Sequence, residues 1–502
     1  MPTAWLPWPG KMSARAMDSP SRKGRPTRIA GRASQSRVAK WHGSPRPGPR
    51  TGFARSPPSG RRDVPERFVL PRRPRSRPAM SQPETADPVP GSVAPTVQSM
   101  DPILYDALVI GAGIAGLSFA AAAAREGRRV LLVAARDAHP REFRAEKFSG
   151  REMDVLDRLG LGAGARTAAT QIHTVVEGRW SRLIKRVPSR EYAVHYPDFV
   201  DAVRAAMPDT VRNVTGRVTG MTTGAEVQTL TLADGRRYAG RLLVIATGLG
   251  EALTRSLGFE RRVVSQGHAL VYGFNTACSY ALFAGEQLIW SAEGGGDGIA
   301  YLTLFPLGTQ VRANLFTYWP RGGAAAEAFL ADPAAALQRL MPGLTRTYGA
   351  VEAVGPVQHR PIDIVEIANP VRDGVVVIGD AFCTTCPGWG TGITKALSDV
   401  TVLIRHLPDW LATPGMDSAK IAAFYTDPDK VAADQLSVGK SLRMRRMKMG
   451  RDVASRFLAL RSTVFRRGEQ ALTDATAHLR TAVVQLRSAA ARVRSKAPAA
   501  NP

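Results

Sequence analysis

Residues 105–134, YDALVIGAGIAGLSFAAAAAREGRRVLLVA, constrain the fold more than any other stretch of the chain. Residues 107–110 form an apolar run short enough and β-rich enough for a buried strand. The run meets Gly111, Gly113 and Gly116 in G-x-G-x-x-G spacing, and Leu117 then starts an Ala-rich helix that Gly127 ends. Residues 130–133 make a second buried strand. Each glycine meets a separate steric need. Gly111 permits the tight turn, Gly113 lets the backbone approach a pyrophosphate, and Gly116 lets helix and strand pack closely. The helix start, with Ala112, Ile114 and Ala115 in the turn, presents N–H groups and a partial positive charge to phosphate oxygens. Strand, turn, helix and strand in this order mark a dinucleotide site. One position departs from the pattern. The second strand should end in an acid for a ribose hydroxyl, but Ala134 stands there and Asp137 follows only three residues later. Either the ribose is held differently or Asp137 reaches back.

Beyond this unit, Met153, Leu156 and Leu159 recur at helical spacing, stopped by Gly160 or Gly162. Residues 172–185 read as extended and 198–207 as a short helix. Residues 214–221 and 227–232 read as strands closed by the Asp234-Gly235 turn, and 241–247 as a buried strand running into Gly248. From 269 to 318 the pattern changes to short strands with turns at Gly285-Glu286 and 294–296, which predicts an antiparallel sheet rather than further βαβ units. Residues 324–340 read as one helix, 374–378 as a buried strand and 391–407 as a helix.

Charge is unevenly placed. Residues 1–99 carry a net +14 and residues 440–502 a net +12, so the total of +26 describes two basic tails around a neutral body. The first tail holds 18 of the 36 prolines and shows no apolar periodicity, so it reads as disordered. It lacks the apolar region of a secretory signal, and its prolines oppose the amphipathic helix of a transit peptide. With Met100 just before the first strand, a start assigned too early is the favoured explanation. No nucleic-acid motif accompanies the basic tails, so no nucleic-acid partner is expected. No apolar run reaches the roughly 18–20 residues that span a bilayer. Three cysteines suit a reducing cytoplasmic setting better than a disulfide framework. In the last segment Val453, Phe457, Leu460 and Val464 line one helical face among arginines. Such a helix either lies peripherally on an anionic membrane surface or docks on the body with a solvated basic face.

A second motif is carried by residues 379–400, GDAFCTTCPGWGTGITKALSDV. Gly379, Asp380, Ala381, Pro387, Gly390, Gly392, Ala396 and Asp399 resemble the second flavin fingerprint of the para-hydroxybenzoate hydroxylase-like FAD-dependent monooxygenases. Asp380 at a strand end can accept from ribityl hydroxyls. Gly390 and Gly392 leave main-chain N–H groups, with Ile393 in the same helix start, facing the electron-rich edge of a flavin. By the same resemblance Arg144 contacts the cofactor and Val218 lies on the strand that passes the adenine. The family's middle Asp-Gly motif falls at Thr247-Gly248, its Asp replaced.

The resemblance implies an α/β fold: a Rossmann-like FAD-binding domain, an antiparallel substrate-domain sheet and a helical C-terminal region. The expected division is 1–99 basic extension, 100–171, 213–262 and 369–410 FAD-binding, 172–212 and 263–368 substrate-binding, and 411–502 helical. It also implies that NADH or NADPH reduces FAD, that O₂ adds at flavin C4a, and that the hydroperoxide oxygenates an aromatic or lipid-like substrate. Neighbours in the superfamily differ. The halogenase W-x-W-x-I-P signature meets only residues 301–306, YLTLFP, whereas the prenyl reductases' Lys-x-x-Gly element is matched by Lys147 and Gly150. A reductase is therefore the second expectation, and a non-catalytic binding protein the third. Catalytic residues are not assigned. Tyr272, Tyr301, Phe305 and Pro306 are candidate pocket walls, weighed against plain core, and His195 and His268 candidate bases, weighed against structural histidines. Cys383 and Cys386, beside the flavin-facing Pro387, are either a redox pair or two small apolar fillers. A metal would need more ligands than this segment offers.

Overall fold

The computed structural model describes residues 100–179, 181–292 and 297–450. The extension 1–99, the turn at 294–296 and the basic amphipathic face beginning at Val453 lie outside the described residues.

Two sheets organise the described chain. The first takes β1 (Met100–Ile110), β2 (Val130–Ala134), β6 (Val211–Thr215), β7 (Val218–Thr222), β8 (Gln228–Leu232), β9 (Arg237–Ile245) and β15 (Val375–Val377). Its order is β6-β2-β1-β9-β8-β7, with β15 also on β9. The β6-β2-β1-β9-β15 part is parallel, with Ala107 opposite Val130 and Leu242, and Val376 opposite Val244. β1, β2, β9 and β15 are covered on both faces, which is why they read as apolar runs, whereas the edge strand β6 exposes Arg212 and Asn213. On one side the Ile114–Arg125 helix buries Leu117 and Phe119 completely, each contributing about 1.5–3 kcal/mol.

The second sheet takes β3 (Ala145–Ser149), β4 (Ala169–Arg179), β5 (Arg182–His195), β10 (Arg261–Thr276), β11 (Glu286–Trp290), β12 (Ile299–Leu307), β13 (Gln310–Thr317) and β14 (Ala353–Ile367), in the order β14-β10-β13-β12-β11-β4-β5-β3. It is antiparallel except where β11 runs parallel to β4. The sheet curls: Asn314 on β13 donates to the carbonyl of Ala145 on β3 at 3.2 Å, although β12, β11, β4 and β5 intervene in the order. Its outer face carries the apolar core of Tyr272, Phe274, Leu302, Leu304, Leu315 and the helix residue Phe329.

Some expectations need correction. β3, inside the 100–171 range expected to be FAD-binding, belongs to the second sheet. The single helix expected over 324–340 is two, Ala324–Ala331 and Pro333–Leu340. Pro333 has no N–H to continue the first, and the Asp332 carboxylate caps the second by accepting from Ala335 N–H at 2.9 Å. Conversely, the helix expected to stop at 407 runs Gly392–Ala412 through Pro408. Among the described residues no helix is long and apolar enough to cross a membrane.

Candidate functional site

The first glycine turn is fixed by sterics. Gly111 has φ +108°, and a Cβ there would lie 2.4 Å from the Ala246 carbonyl oxygen on the neighbouring strand end. A Cβ on Gly116 would lie 1.9 Å from the Gly111 oxygen. Gly113 differs: the nearest atom to its Cβ would be the Tyr196 hydroxyl at 3.5 Å, so the space in front of it is open to a ligand. The helix that begins at Ile114 has no side-chain cap and no acid in its first turn, which leaves its N–H groups and positive end available to an anion.

The second turn abuts the first. Gly379 has φ +64°, and a Cβ there would meet the Ala115 Cβ at 3.2 Å and that of Ala396 at 4.0 Å. Motifs more than 260 positions apart in sequence thus share one wall. Gly379 N–H donates to the buried Asp399 carboxylate at 2.8 Å. Asp399 in turn accepts from Lys395 at 3.1 Å and pairs with Lys430 at 3.2 Å, while Asp434 binds both lysines. All but Asp434 are almost wholly buried. Burial pushes the Asp399 pKa up, but the two ammonium groups outweigh it and hold the carboxylate below its usual range. This buried quartet anchors the turn that presents Asp380.

Arg144 bridges the two motifs. Its Nε donates to Glu146 at 2.6 Å and its guanidinium lies 4.0 Å over the Tyr196 ring. Burial opposes its charge, yet Glu146, Tyr196 and Asp380 outweigh burial and keep it protonated. Burial raises the Tyr196 pKa, with Arg144 opposing, so a neutral hydroxyl stands at the mouth of the glycine turn. Sequence reasoning missed Tyr196. The only signal was Pro197 in the first turn of the Tyr196–Ala205 helix.

At the strand ends the Asp137 side chain is held by the neighbouring strand. Asp137 accepts from the Thr215 hydroxyl, and Thr215 pairs with Ala134 in the sheet. The carboxylate therefore does reach back to the end of β2. Gly216 N–H donates to the Ala134 carbonyl at 2.8 Å, which brings the strand starting at Val218 past the same edge. Gly248, at φ +62° with nothing near its Cβ position, follows β9 beside the Gly111 turn.

The second helix start is equally open. Pro387 begins a short 3₁₀ turn, Gly390 takes φ +62°, and no atom lies within 4 Å of a Cβ on Gly390 or Gly392. The Gly392–Ala412 helix has no side-chain cap and no acid in its first turn, and Ile393 is buried there. The Thr391 hydroxyl and the Trp389 indole N–H are buried without a partner among the described residues. Orphaned polar atoms of this kind call for a ligand or water. Two uncapped helix starts, an accepting Asp380 and a charged Arg144 suit a molecule with phosphates, a polyol chain and a flat acceptor ring.

Candidate pocket residues separate by face. Tyr301 donates to the Gly388 carbonyl and packs on Phe316 at 4.9 Å, so it lines the side of the Pro387 turn. Phe305 lies on the same strand face and is wholly buried. Tyr272 takes the plain-core alternative: it faces the outer core, 4.7 Å from Phe329. Pro306 shares the parity of Leu304 and faces outward too. His268 is fully buried, its pKa pushed down to about 4 by burial and Arg445, and it bonds Ser265 at 3.1 Å. Burial first, then Arg312, also lowers His195. Both are thus neutral near pH 7. Cys383 and Cys386 are buried free thiols pushed up to about 11 by burial. Thiols so held are poor nucleophiles, which favours the filler role. Among the described residues no group of three or more His, Cys, Asp or Glu could hold a metal.

Sequence and fold both find relatives among known proteins. Residues 104–418 match the sequence family described as FAD binding domain. The chain is 26% identical over 361 residues to salicylate hydroxylase of Pseudomonas putida, covering 64% of this chain and 80% of that protein. It is 25% identical over 319 residues to aurachin C monooxygenase/isomerase of Stigmatella aurantiaca, covering 60% and 80%. Among solved structures it resembles PqsL, a probable FAD-dependent monooxygenase from Pseudomonas aeruginosa, at TM-score 0.57 and 20% identity over 70% of this chain and 98% of that one. It also resembles Klebsiella pneumoniae HpxO complexed with FAD and uric acid, at TM-score 0.58 and 20% identity over 73% and 94%.

Proposed function

The chain belongs to the FAD-binding-domain family, and from that premise we propose that it is a monooxygenase. It takes electrons from NADH or NADPH and places one oxygen atom of O₂ on an aromatic or lipid-like small molecule. The observation that carries this reading is the contact of the two glycine turns at Ala115 and Gly379, with uncapped helix starts at Ile114 and Gly392, next to an aromatic-walled sheet face. Salicylate hydroxylase and aurachin C monooxygenase/isomerase, whose names state oxygenation, support it.

Bound FAD supplies the redox chemistry and the reaction with O₂. The chain's own residues do the rest. The N–H groups at Ala112 to Ala115, with Arg144, hold the pyrophosphate. Asp380 accepts from the ribityl hydroxyls. The Gly392 helix start, free of acids, would set its N–H groups and positive end toward the electron-rich edge of the ring. Tyr301 and Phe316, packed on the Pro387 turn, would help exclude water from the site.

The purified full-length chain should show a flavin absorption spectrum, with NAD(P)H oxidation and O₂ uptake both stimulated by a phenolic substrate. Flavin reduction without oxygen transfer to any phenol would instead point to a reductase. Absence of flavin after added FAD would sink the reading at its base.

A further inference from the structure

We propose that the last turns of the Pro428–Met449 helix form a docking surface for an anionic lipid bilayer. The surface lies outside the flavin-binding turns, and the proposal does not depend on the monooxygenase reading.

The helix has two unlike sides. Lys430, Ser437, Ser441 and Met444 are buried at helical spacing against the body. Cys386 N–H donates to the Ser441 hydroxyl at 3.3 Å, and Met444 packs with Phe316, Tyr318 and Cys386. This side is therefore fixed to the Pro387 turn. The other side is bare. Leu436, Gly439, Leu442, Arg443, Arg446 and Met449 recur at every third or fourth residue, and all are exposed. Leu442 and Met449 leave 39% and 42% of their surface in water. Leu442, Arg446 and Met449 stand at i, i+4 and i+7, so they form one strip along the helix. With Arg445 and Gly450 they border a cleft of about 380 Å³.

Charge decides what such a strip fits. A helix face meant only for water mixes acids with cations and pairs them one turn apart. Residues 435–450 instead hold five cations, Lys440, Arg443, Arg445, Arg446 and Lys448, and no Asp or Glu. Three of the five have work within the protein. Lys440 lies 5.6 Å over the Trp389 ring, Arg445 donates to the Ser265 hydroxyl at 3.0 Å, and Lys448 interacts with the charge of Asp297. Arg443 and Arg446 make no ion pair among the described residues. A soluble polyanion would engage these arginines but leave Leu442 and Met449 in water. A bilayer answers both: phosphate headgroups meet the arginines, and the apolar side chains enter the boundary between headgroups and acyl chains. The sequence that follows adds attraction, since residues 440–502 carry a net +12. Docking through this strip would hold the Pro387 turn about 10 Å from the lipid, one helix diameter.

The test is co-sedimentation of the full-length protein with vesicles of mixed phosphatidylglycerol and phosphatidylcholine, and with vesicles of phosphatidylcholine alone. The protein should bind only the mixed vesicles, and binding should weaken without vanishing as salt screens the arginines. Arg443→Gln with Arg446→Gln should weaken it by about ten- to thirty-fold, since each cation beside an anionic surface contributes about five-fold. Leu442→Ser with Met449→Ser should weaken it by about ten-fold through lost apolar burial. All four positions are exposed, so both variants should keep the wild-type unfolding midpoint. The segment after Gly450 is itself basic, so the comparison with wild type decides, not binding as such. Binding unmoved by either pair of substitutions, equal binding to the two kinds of vesicle, or no binding would each overturn the proposal. A dimer in solution that Leu442→Ser with Met449→Ser dissolves would assign the strip to a second copy of the chain and overturn it as well.

Discussion

Asp399→Ala should destabilise the FAD-binding part of the protein by about 3–5 kcal/mol, the usual consequence of removing one partner from a buried charge network. Two ammonium groups, Lys395 and Lys430, would be left with Asp434 alone. The Gly379 N–H would lose its acceptor at the point where the backbone takes a left-handed turn. The loss should therefore appear twice, in the denaturation midpoint and in a lower flavin content of purified protein. The acid side carries a second signature. Asp399 is held below its usual range in the folded protein, so the unfolded chain binds its proton more tightly. Its stabilisation is complete above the unfolded carboxylate value of about 4 and drains away as pH falls through the lower folded value. Asp399→Ala should flatten that acid limb. A stability change under about 1 kcal/mol with an unaltered acid limb would show that the quartet is not the anchor of the turn.

Gly116→Ala should yield protein with little or no bound FAD. The added methyl would stand 1.9 Å from the Gly111 carbonyl oxygen and 3.3 Å from Ala246 Cβ, and the nearest of these contacts is backbone, which cannot swing aside. The helix start must move off the strand, at about 1–3 kcal/mol for overpacking, and its N–H groups move with it. Gly127→Ala is the matched control. That residue has φ +75° but nothing within 4 Å of its Cβ position, so it should lose only the roughly 1 kcal/mol of left-handed strain and keep its flavin. The ratio of flavin to protein absorbance measures both variants. Stoichiometric FAD in Gly116→Ala would refute the close-packing role assigned to this glycine.

Local chemistry made part of this protein readable as a string of residues. A glycine that must take positive φ, or that must touch a neighbouring backbone, leaves a mark at its own position, so the turn at Gly111 and the turn at Gly379 were both visible. The central parallel strands were visible because burial on both faces demands unbroken apolar runs. Pro333 marks, through its missing N–H, the break that a single helix over 324–340 passes over.

Which face a residue presents was not readable. Tyr272 and Tyr301 look alike in the chain, yet strand parity and curl send one to the outer core and the other against the Pro387 turn. The contact of Ala115 with Gly379, the placement of Tyr196 under Arg144 and the pairing of Lys395 with Asp434 all join residues from separate elements. Sequence alone determined that the chain builds a dinucleotide turn and a second flavin-type turn, because those depend on backbone conformation one residue at a time. Only the tertiary structure decided how the buried charges are compensated, because electrostatic energy in a protein interior depends on distances between groups that the chain order does not encode.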